Sequence, residues 1–310
     1  MALDLVCLGE PMVEFNQTER DQPQFLMGHG GDTSNCAIAA ARHGLKVGYL
    51  TRLGDDAMAD SLMKLWREER VDASRVVRDP AAPTGIYFVT HGPEGHAFTY
   101  YRAGSAASRM RPEDLPHDYL LGARALHLSG ISQSISDSAC DTCFAAIEAA
   151  RRENVLVSYD TNLRLKLWPL DRARAIIHAT APRVDILRPG LDDARQLTGL
   201  EDADEIVDFY LRLGAPLVAL TLGSEGALVA TADRRQRFAA RKVESVDATG
   251  AGDAFDGAFL AEYLRTRDPF GAGEFANAAA ALATTGYGAV APLPRRGQVE
   301  SFLAGRSGDA

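Results

Sequence analysis

The sequence predicts an α/β fold with a mostly parallel central sheet flanked by helices. Two apolar runs, 124–129 and 155–159, enclose a helical stretch over roughly 136–153, and this strand–helix–strand spacing is typical of parallel sheets. Two further runs, 85–91 and 96–101, meet at a turn of glycine and proline and predict a hairpin. With 310 residues, 46% of them hydrophobic, the chain can bury the core of one large domain.

The other elements are read from apolar runs and helix-cap signals. Strands are predicted over 3–8, 10–28, 46–52, 184–188, 217–221 and 226–229, and helices over 55–70 and 274–285. The helix after Asp55 and Asp56 has an apolar face of Leu62, Leu65 and Trp66, with either aspartate as its cap. Because a two-stranded hairpin is marginally stable alone, we expect the early strand in 10–28 to join it in a small sheet.

Composition excludes several classes of protein. The net charge of −9 argues against a nucleic-acid partner, since phosphate backbones need a basic surface. We expect no membrane span, because the chain has no run of about 18 apolar residues. The first nine residues are too short and too acidic for a signal peptide, so we expect a cytoplasmic protein.

The cysteines predict neither a disulfide scaffold nor a metal site. The chain has four cysteines, too few for a disulfide framework to stabilise 310 residues: Cys7, Cys36, Cys140 and Cys143. Cys140 and Cys143 have the spacing of zinc ligands, but the sequence offers no second pair or histidine cluster to complete the site. We therefore expect both as small apolar residues on a helix.

A glycine-rich turn followed by a helix carries the clearest chemical signal. Gly250 and Gly252 leave room for backbone N–H groups to bind an anion at the helix N-terminus. The apolar spacing of Phe255, Phe259 and the tyrosine four residues later predicts the helix itself. Asp253, placed beside that anion, is suited to remove a proton from a hydroxyl that attacks a phosphoryl group. The alternative is that Asp253 only stabilises the first helical turn.

The residues at 247–255, Asp-Ala-Thr-Gly-Ala-Gly-Asp-Ala-Phe, resemble a signature of the ribokinase-like (PfkB) carbohydrate kinases. The turn lacks the lysine of a Walker loop, and Phe255 stands where a dinucleotide fingerprint has its third glycine. The stretch 30–37, Gly-Gly-Asp-Thr-Ser-Asn-Cys-Ala, resembles the family's second signature. This resemblance covers nearly the whole chain. It implies one three-layer ribokinase-like domain over 1–310, with a lid built from about 10–28 and 85–102.

The resemblance implies an ATP- and magnesium-dependent kinase that phosphorylates a primary hydroxyl of a small sugar or sugar acid. In this interpretation Asp253 is the base, and its backbone N–H, with those of Gly250, Ala251 and Gly252, holds the developing negative charge. The early signature implies that Gly30, Gly31 and Asn35 bind sugar hydroxyls. Without the resemblance, the two glycines and the polar residues after them indicate only a turn and a helix cap.

The resemblance also implies positions for the nucleotide and for metal ions. Thr221, Gly223, Gly226 and Asn277 correspond to nucleotide-binding positions. Asp193 corresponds to a residue that orders magnesium through water, while Asp247 and Thr249 lie near a possible monovalent cation such as potassium. The chain departs from the family pattern at three of its positions. Gly190 replaces an asparagine, Asp193 replaces a glutamate, and Thr221 stands where a lysine is frequent.

Two arginines predict the acceptor. Arg102 follows the hairpin and Arg164 follows the strand at 155–159, so both can grip one carboxylate. The surrounding residues resemble the 2-keto-3-deoxygluconate kinases within the family, in which Tyr87, Tyr100, Arg102 and Arg164 would line the acid's pocket. Alternatively, each arginine pairs with a surface acid and the acceptor is a neutral sugar, ribose or fructose.

Two other functions and the assembly state complete the predictions. A non-catalytic sugar or nucleotide sensor on the same fold would have no need of a base at Asp253. A dinucleotide oxidoreductase would need a glycine-rich turn after the first strand, where the chain has only Gly9 followed by Glu-Pro-Met. In the family the lid often pairs with that of a second subunit, which implies a homodimer or higher homo-oligomer.

Overall fold

The computed structural model describes residues 2–20, 22–92 and 95–305. The strands are β1 (Leu3–Leu8), β2 (Met12–Gln17), β3 (Phe25–Gly30), β4 (Val47–Leu50), β5 (Arg52–Gly54), β6 (Val77–Asp79), β7 (Ile86–Gly92), β8 (Gly95–Tyr101), β9 (Ala123–Ser129), β10 (Leu156–Asp160), β11 (Ile186–Arg188), β12 (Leu217–Thr221), β13 (Gly226–Thr231) and β14 (Arg235–Ala239). The helices are α1 (Asp32–Arg42), α2 (Ala57–Glu68), α3 (His117–Leu121), α4 (Gly130–Ser134), α5 (Asp137–Arg152), α6 (Leu170–Thr180), α7 (Leu191–Thr198), α8 (Ala203–Leu213), α9 (Ala251–Thr266), α10 (Pro269–Ala283) and α11 (Arg296–Leu303).

An eight-stranded sheet forms the middle layer, in the order β14-β13-β12-β11-β10-β9-β1-β4. Its strands from β12 to β4 run parallel, and β13 and β14 add an antiparallel edge. On β1, Leu5 and Cys7 enter the core beneath α1, α9 and α10, while Val6 and Leu8 enter the core beneath α5, α6 and α8. Burial on both faces is what a central parallel strand requires. The predicted three-layer α/β fold is confirmed.

A second sheet of four strands, in the order β3-β2-β7-β8, lies apart from the main one. The sequence predicted one early strand over 10–28, but the structure has two, β2 and β3, which pair antiparallel. Between them the Thr18 N–H donates to the Gln24 carbonyl at 3.1 Å, and residue 21 lies outside the described residues. The predicted hairpin is β7 and β8, and residues 93 and 94 of its turn lie outside the described residues.

Several boundaries differ from the prediction for local reasons. The run 46–52 divides into β4 and β5, because β5 leaves the main sheet to pair with β6. Helix α2 begins after Asp56, whose Oδ1 accepts the Ala59 N–H at 2.9 Å, so this aspartate is its cap. The last predicted helix, α10, starts at Pro269, with Asp268 as its cap. Strand β14 was missed, because its charged residues alternate on an exposed edge and only Phe238 is fully buried.

Two smaller observations complete the fold. Cys140 and Cys143 lie on α5 as predicted, and both are buried free thiols. Among the described residues, none of the helices is both long enough and apolar enough to cross a membrane.

Helices α1 and α9 pack so closely that their backbones are in contact at Gly257. A Cβ atom added to Gly257 on α9 would lie 2.5 Å from the Ala39 Cβ and 2.6 Å from the Cys36 carbonyl oxygen. The α1 residues on this face, Cys36, Ala39 and Ala40, are small and buried. Since neither backbone can move away without opening the core, the separation of the two helices is fixed by the absence of a side chain at Gly257.

Gly257→Ala should therefore destabilise the protein. We expect the free energy of unfolding to fall by about 1–3 kcal/mol, the range for overpacking a dense core. The matched control is Gly297→Ala on α11, where an added Cβ meets nothing within 4 Å. That change should raise stability by about 0.5–1 kcal/mol, because alanine favours helix over glycine. Equal effects of the two substitutions in urea unfolding would contradict the close contact.

Candidate active site

A cavity of about 1120 Å³ opens between the two sheets. It lies at the carboxyl ends of β1, β10 and β11, where parallel α/β sheets bind their ligands. The N-terminus of α9 forms its floor, and the small sheet contributes one wall. The polar residues that line it are Glu10, Asp32, Asn35, Tyr87, Thr99, Tyr100, Arg102, Asn162, Arg164, Lys166, Arg188, Asp193, Gln196, Thr249 and Asp253.

The first turn of α9 presents backbone N–H groups to this cavity. Gly250 caps the helix with a φ of 78°, and a Cβ there would lie 2.8 Å from the Ala289 carbonyl oxygen, so the position requires glycine. The Ala251 N–H, one of the predicted anion donors, is occupied by the Ala248 carbonyl at 3.2 Å. Within the described residues, the N–H groups of Gly250, Gly252 and Asp253 have no acceptor. These groups, the last two of them in the first turn of the helix, are left to bind an anion.

Asp253 has the properties of a base poised near neutral pH. Burial and, after it, the negative charge of Asp32 raise the pKa of its carboxyl from 3.8 to about 7. A hydrogen bond from the Asn35 amide to Oδ2, 2.8 Å long, acts in the opposite direction because it favours the charged form. A general base is most effective when its pKa lies near the working pH. Asn35 thus orients the predicted base in addition to lining the cavity.

Two buried oxygens beside Asp253 point to a ligand rich in hydroxyl groups. Asp32 accepts from the Asn162 amide at 3.0 Å through Oδ2, but its Oδ1 has no hydrogen-bond partner among the described residues. The Oδ1 of Asn35 is also buried and has no hydrogen-bond partner among the described residues. Unpartnered buried acceptors are costly, so they indicate donors supplied from outside the chain. Asp32 and Asn162 were not predicted, although Asp32 lies inside the early motif.

The predicted glycines of that motif act differently from each other. Gly31 has a φ of 104° and lines the cavity, and a Cβ on it would lie 2.5 Å from the Glu10 carbonyl oxygen. Gly30 is buried beneath Tyr87, whose hydroxyl would lie 2.4 Å from an added Cβ. Gly30 therefore makes room for Tyr87, and only Gly31 reaches the cavity.

The aromatic and basic residues predicted for the acceptor all line this cavity. Tyr87 donates its hydroxyl to Glu14 at 2.6 Å and lies against Tyr100, with 5.6 Å between ring centres. Arg102 forms an ion pair with Glu10, which is 1% exposed and was not predicted as its partner. The Arg164 guanidinium, in the loop after β10, donates only to the Leu163 carbonyl and has no ion pair among the described residues.

The predicted metal-binding residues differ in whether a carboxylate oxygen remains free to bind a metal ion. Asp193, on the first turn of α7, accepts the Leu163 N–H at 3.0 Å through Oδ2, and its Oδ1 accepts no hydrogen bond in the described chain. Burial raises the pKa of this carboxyl, and Arg164 opposes the rise. Asp247 uses both oxygens to accept from Thr249 and from the Gly288 N–H at 2.9 Å. Asp247 thereby links its own loop to the loop that contains Gly288.

The predicted nucleotide-binding residues lie outside this cavity's lining. Thr221, at the end of β12, forms an isolated parallel bridge with Gly190, and Gly223 is exposed. Gly226 has a φ of 104° and would place a Cβ 2.0 Å from the Phe238 carbonyl oxygen, so the turn requires glycine. The Asn277 amide donates to the Ala239 carbonyl at 2.8 Å. Gly226 and Asn277 therefore hold the β13–β14 edge in shape.

The comparisons with known proteins agree on one group. Residues 2–296 match the model described as pfkB family carbohydrate kinase. The chain is 37% identical to a 2-dehydro-3-deoxygluconokinase of Thermoproteus tenax (97% of this chain, 94% of the relative) and 33% identical to one of Bacillus subtilis (98% and 96%).

Solved structures agree with these sequence matches. A PfkB protein from Polaromonas sp. JS666 is 32% identical, with a TM-score of 0.89 over 97% of this chain and all of that one. A fructokinase from Vibrio cholerae O395, solved in its fructose-, ADP- and calcium-bound form, is 29% identical, with a TM-score of 0.88 over 98% of this chain and all of that one.

The surroundings of Asp253 make its titration a direct test of the site. Carbon-detected NMR of labelled aspartate should give a midpoint of about 7 for this carboxyl. Asp32→Asn should lower the pKa, because it removes a negative charge, and Asn35→Ala should raise it, because it removes a bond to the ionised form. A midpoint near the ordinary value of 3.8 would contradict the described burial.

Proposed function

As a member of the pfkB family of carbohydrate kinases, the chain is a sugar kinase, and we propose that its acceptor is the sugar acid 2-keto-3-deoxygluconate. The product would be 2-keto-3-deoxy-6-phosphogluconate. The observation that carries this proposal is the placement of Arg164, a cation without an ion-pair partner among the described residues, in the same cavity as Asp253. The names of the relatives from Thermoproteus tenax and Bacillus subtilis point to the same substrate.

The geometry supports an in-line transfer with Asp253 as the base. Asp32 and Asn35 hold the acceptor's hydroxyls through their unpartnered oxygens, which orients the primary hydroxyl beside Asp253. Asp253 takes the hydroxyl proton as the oxygen attacks the γ-phosphorus of ATP, and the electron pair of the broken bond leaves with ADP. The N–H groups of Gly252 and Asp253 stabilise the charge on the transferred group.

ATP and a divalent metal ion are the cofactors that the relatives support, and magnesium fits the acids that are present. The described residues contain no cluster of three or more metal-ligating side chains. Magnesium does not need such a cluster, because it keeps several of its waters and binds one or two carboxylates together with the substrate phosphates. Asp193, with its free Oδ1, would hold it. When bound, the ion neutralises charge on the phosphates of ATP. We place the reaction in the cytoplasm, where both are abundant.

Potassium fits the structure less well. Both oxygens of Asp247 already accept hydrogen bonds, from Thr249 and Gly288, so carbonyl groups would have to supply most of the ligands. A monovalent cation at Asp247 and Thr249 has no part in the proposed transfer.

A neutral sugar such as fructose is the second candidate, and one contact favours it. Glu10 neutralises Arg102 within the site, which leaves one arginine where the sequence suggested two. The related fructokinase from Vibrio cholerae O395 shows that this fold accommodates fructose in that protein.

A substrate panel with matched variants distinguishes the two candidates. With ATP and magnesium, turnover should be higher on 2-keto-3-deoxygluconate than on ribose or fructose, and Asp253→Asn should reduce kcat by at least about 100-fold. Arg164→Met should raise KM for the sugar acid about 10- to 100-fold, as expected for a lost hydrogen bond to a charged group, and leave KM for ATP unchanged. The charge-matched control, the exposed Arg212→Met on α8, should alter neither. Preference for fructose with an unchanged effect of Asp253→Asn would reject the acid and keep the kinase.

We also propose that the small sheet is a lid that pairs with a second copy of the chain. Its apolar residues Leu26, Met27 and Tyr101 are 68%, 48% and 62% exposed, an unusual arrangement for a monomer surface. A partner's sheet of the same kind would cover them.

Light scattering at micromolar concentration should give a dimer or a larger oligomer, and Leu26→Glu should shift it toward the monomer. A fully active monomer at that concentration would contradict pairing through the lid.

A further inference from the structure

Arg188 is a buried cation that the sequence did not bring into the site. It ends β11, and its side chain is 9% exposed. Nε and Nη2 donate to the two oxygens of Asp256 at 2.9 and 2.7 Å, and Nη2 also donates to Asp160. All of these bonds use the Nε and Nη2 positions. Nη1 donates to no acceptor in the described chain, and it is not among the fully buried atoms without a partner.

The guanidinium lies directly under the anion-binding turn of α9. A Cβ added to Gly252 would lie 3.2 Å from Nη2 and 3.3 Å from Nη1 of Arg188. Arg188 also lines the cavity that contains Asp253. Nη1 therefore has no hydrogen-bond acceptor in the described chain and lies next to the free N–H groups of Gly252 and Asp253.

A purely structural role explains this arrangement poorly. Burying an arginine with two aspartates costs desolvation energy, and well-packed apolar residues would stabilise a core at least as well. Helix α9 and strands β10 and β11 are already joined by their apolar cores. The carboxylates orient the guanidinium by its Nε and Nη2 atoms and so direct Nη1 toward the turn.

We propose that Arg188 is a catalytic residue whose Nη1 donates to the transferred phosphoryl group; this rests on the kinase function proposed above. The acceptor O–H bond breaks and its proton goes to Asp253, the new O–P bond forms, and the bond from the γ-phosphorus to the bridging oxygen breaks with its electrons going to ADP. Arg188 keeps its own protons. It adds a fixed positive charge where the negative charge of a loose transition state is concentrated.

The test replaces Arg188 and Asp256 by neutral side chains. Arg188→Met alone leaves both Asp160 and Asp256 unpaired and is expected to unfold readily, whereas the double variant Arg188→Met/Asp256→Asn leaves only Asp160 without its ion-pair partner and is the more informative one. It should keep KM for ATP and for the sugar acid within about threefold, yet lose kcat by about 100-fold or more, the effect of removing one preorganised donor. ADP with aluminium fluoride should bind the wild type far more tightly than ADP alone, and this difference should disappear in the variant.

Asp256→Asn alone is the comparison variant, because it keeps the guanidinium and its bond to Asp160; its kcat should fall clearly less than that of the double variant. If the double variant recovers both thermal stability and kcat relative to Arg188→Met, Arg188 is only a counter-ion and the inference is wrong. A wild type inactive on every sugar would refute the proposed function instead.

A measurement on the wild type removes the dependence on folding. With 15N-labelled arginine, the side-chain resonances of Arg188 should shift when ADP, aluminium fluoride and the sugar acid are present together, and not with ADP alone. Unchanged resonances would overturn the inference even if every variant failed to fold.

Discussion

The hydrogen bond between Asn35 and Asp253 is the contact on which the site depends, because it joins two helices that carry different parts of the chemistry. Helix α1 brings Asp32 and Asn35, which we propose bind the acceptor, and α9 brings Asp253, the proposed base, and the glycine-rich turn before it. A bond of 2.8 Å tolerates little change in the distance between the helices. Gly257 sets that distance by allowing backbone contact in the core, so a packing constraint about one helical turn from Asp253 positions this carboxyl.

The charges around the base explain why it titrates near neutral pH. Burial disfavours the ionised form of Asp253, and Asp32 adds repulsion, so both effects raise its pKa. Arg188 opposes them, although its charge is already shared by Asp160 and Asp256. The base is therefore neither a permanently ionised carboxylate nor a permanently protonated acid. It can accept a proton from a hydroxyl and release it again afterwards.

Local patterns in the sequence predicted much of this structure. The strand–helix–strand spacing, the hairpin and the glycine turn before α9 were recognisable because each depends on neighbouring residues. The site's ion pairs were not recognisable for the opposite reason. Arg102 is 92 residues from Glu10, and Arg188 is 68 residues from Asp256, so only the folded chain brings them together. For the same reason Arg102 looked like a free substrate ligand, and Arg188 looked like an ordinary strand end.

The position of Glu10 bears on how such a site distinguishes acceptors. A buried carboxylate bound to Arg102 and to the Ser105 hydroxyl holds the guanidinium in place, which prepares it for a ligand at little further entropic cost. It also cancels the charge of that guanidinium toward a distant anion. Arg102 can then donate directional hydrogen bonds to either a carboxylate or a hydroxyl. Arg164 is exposed and has no such acid, so we propose that its charge distinguishes the two kinds of acceptor.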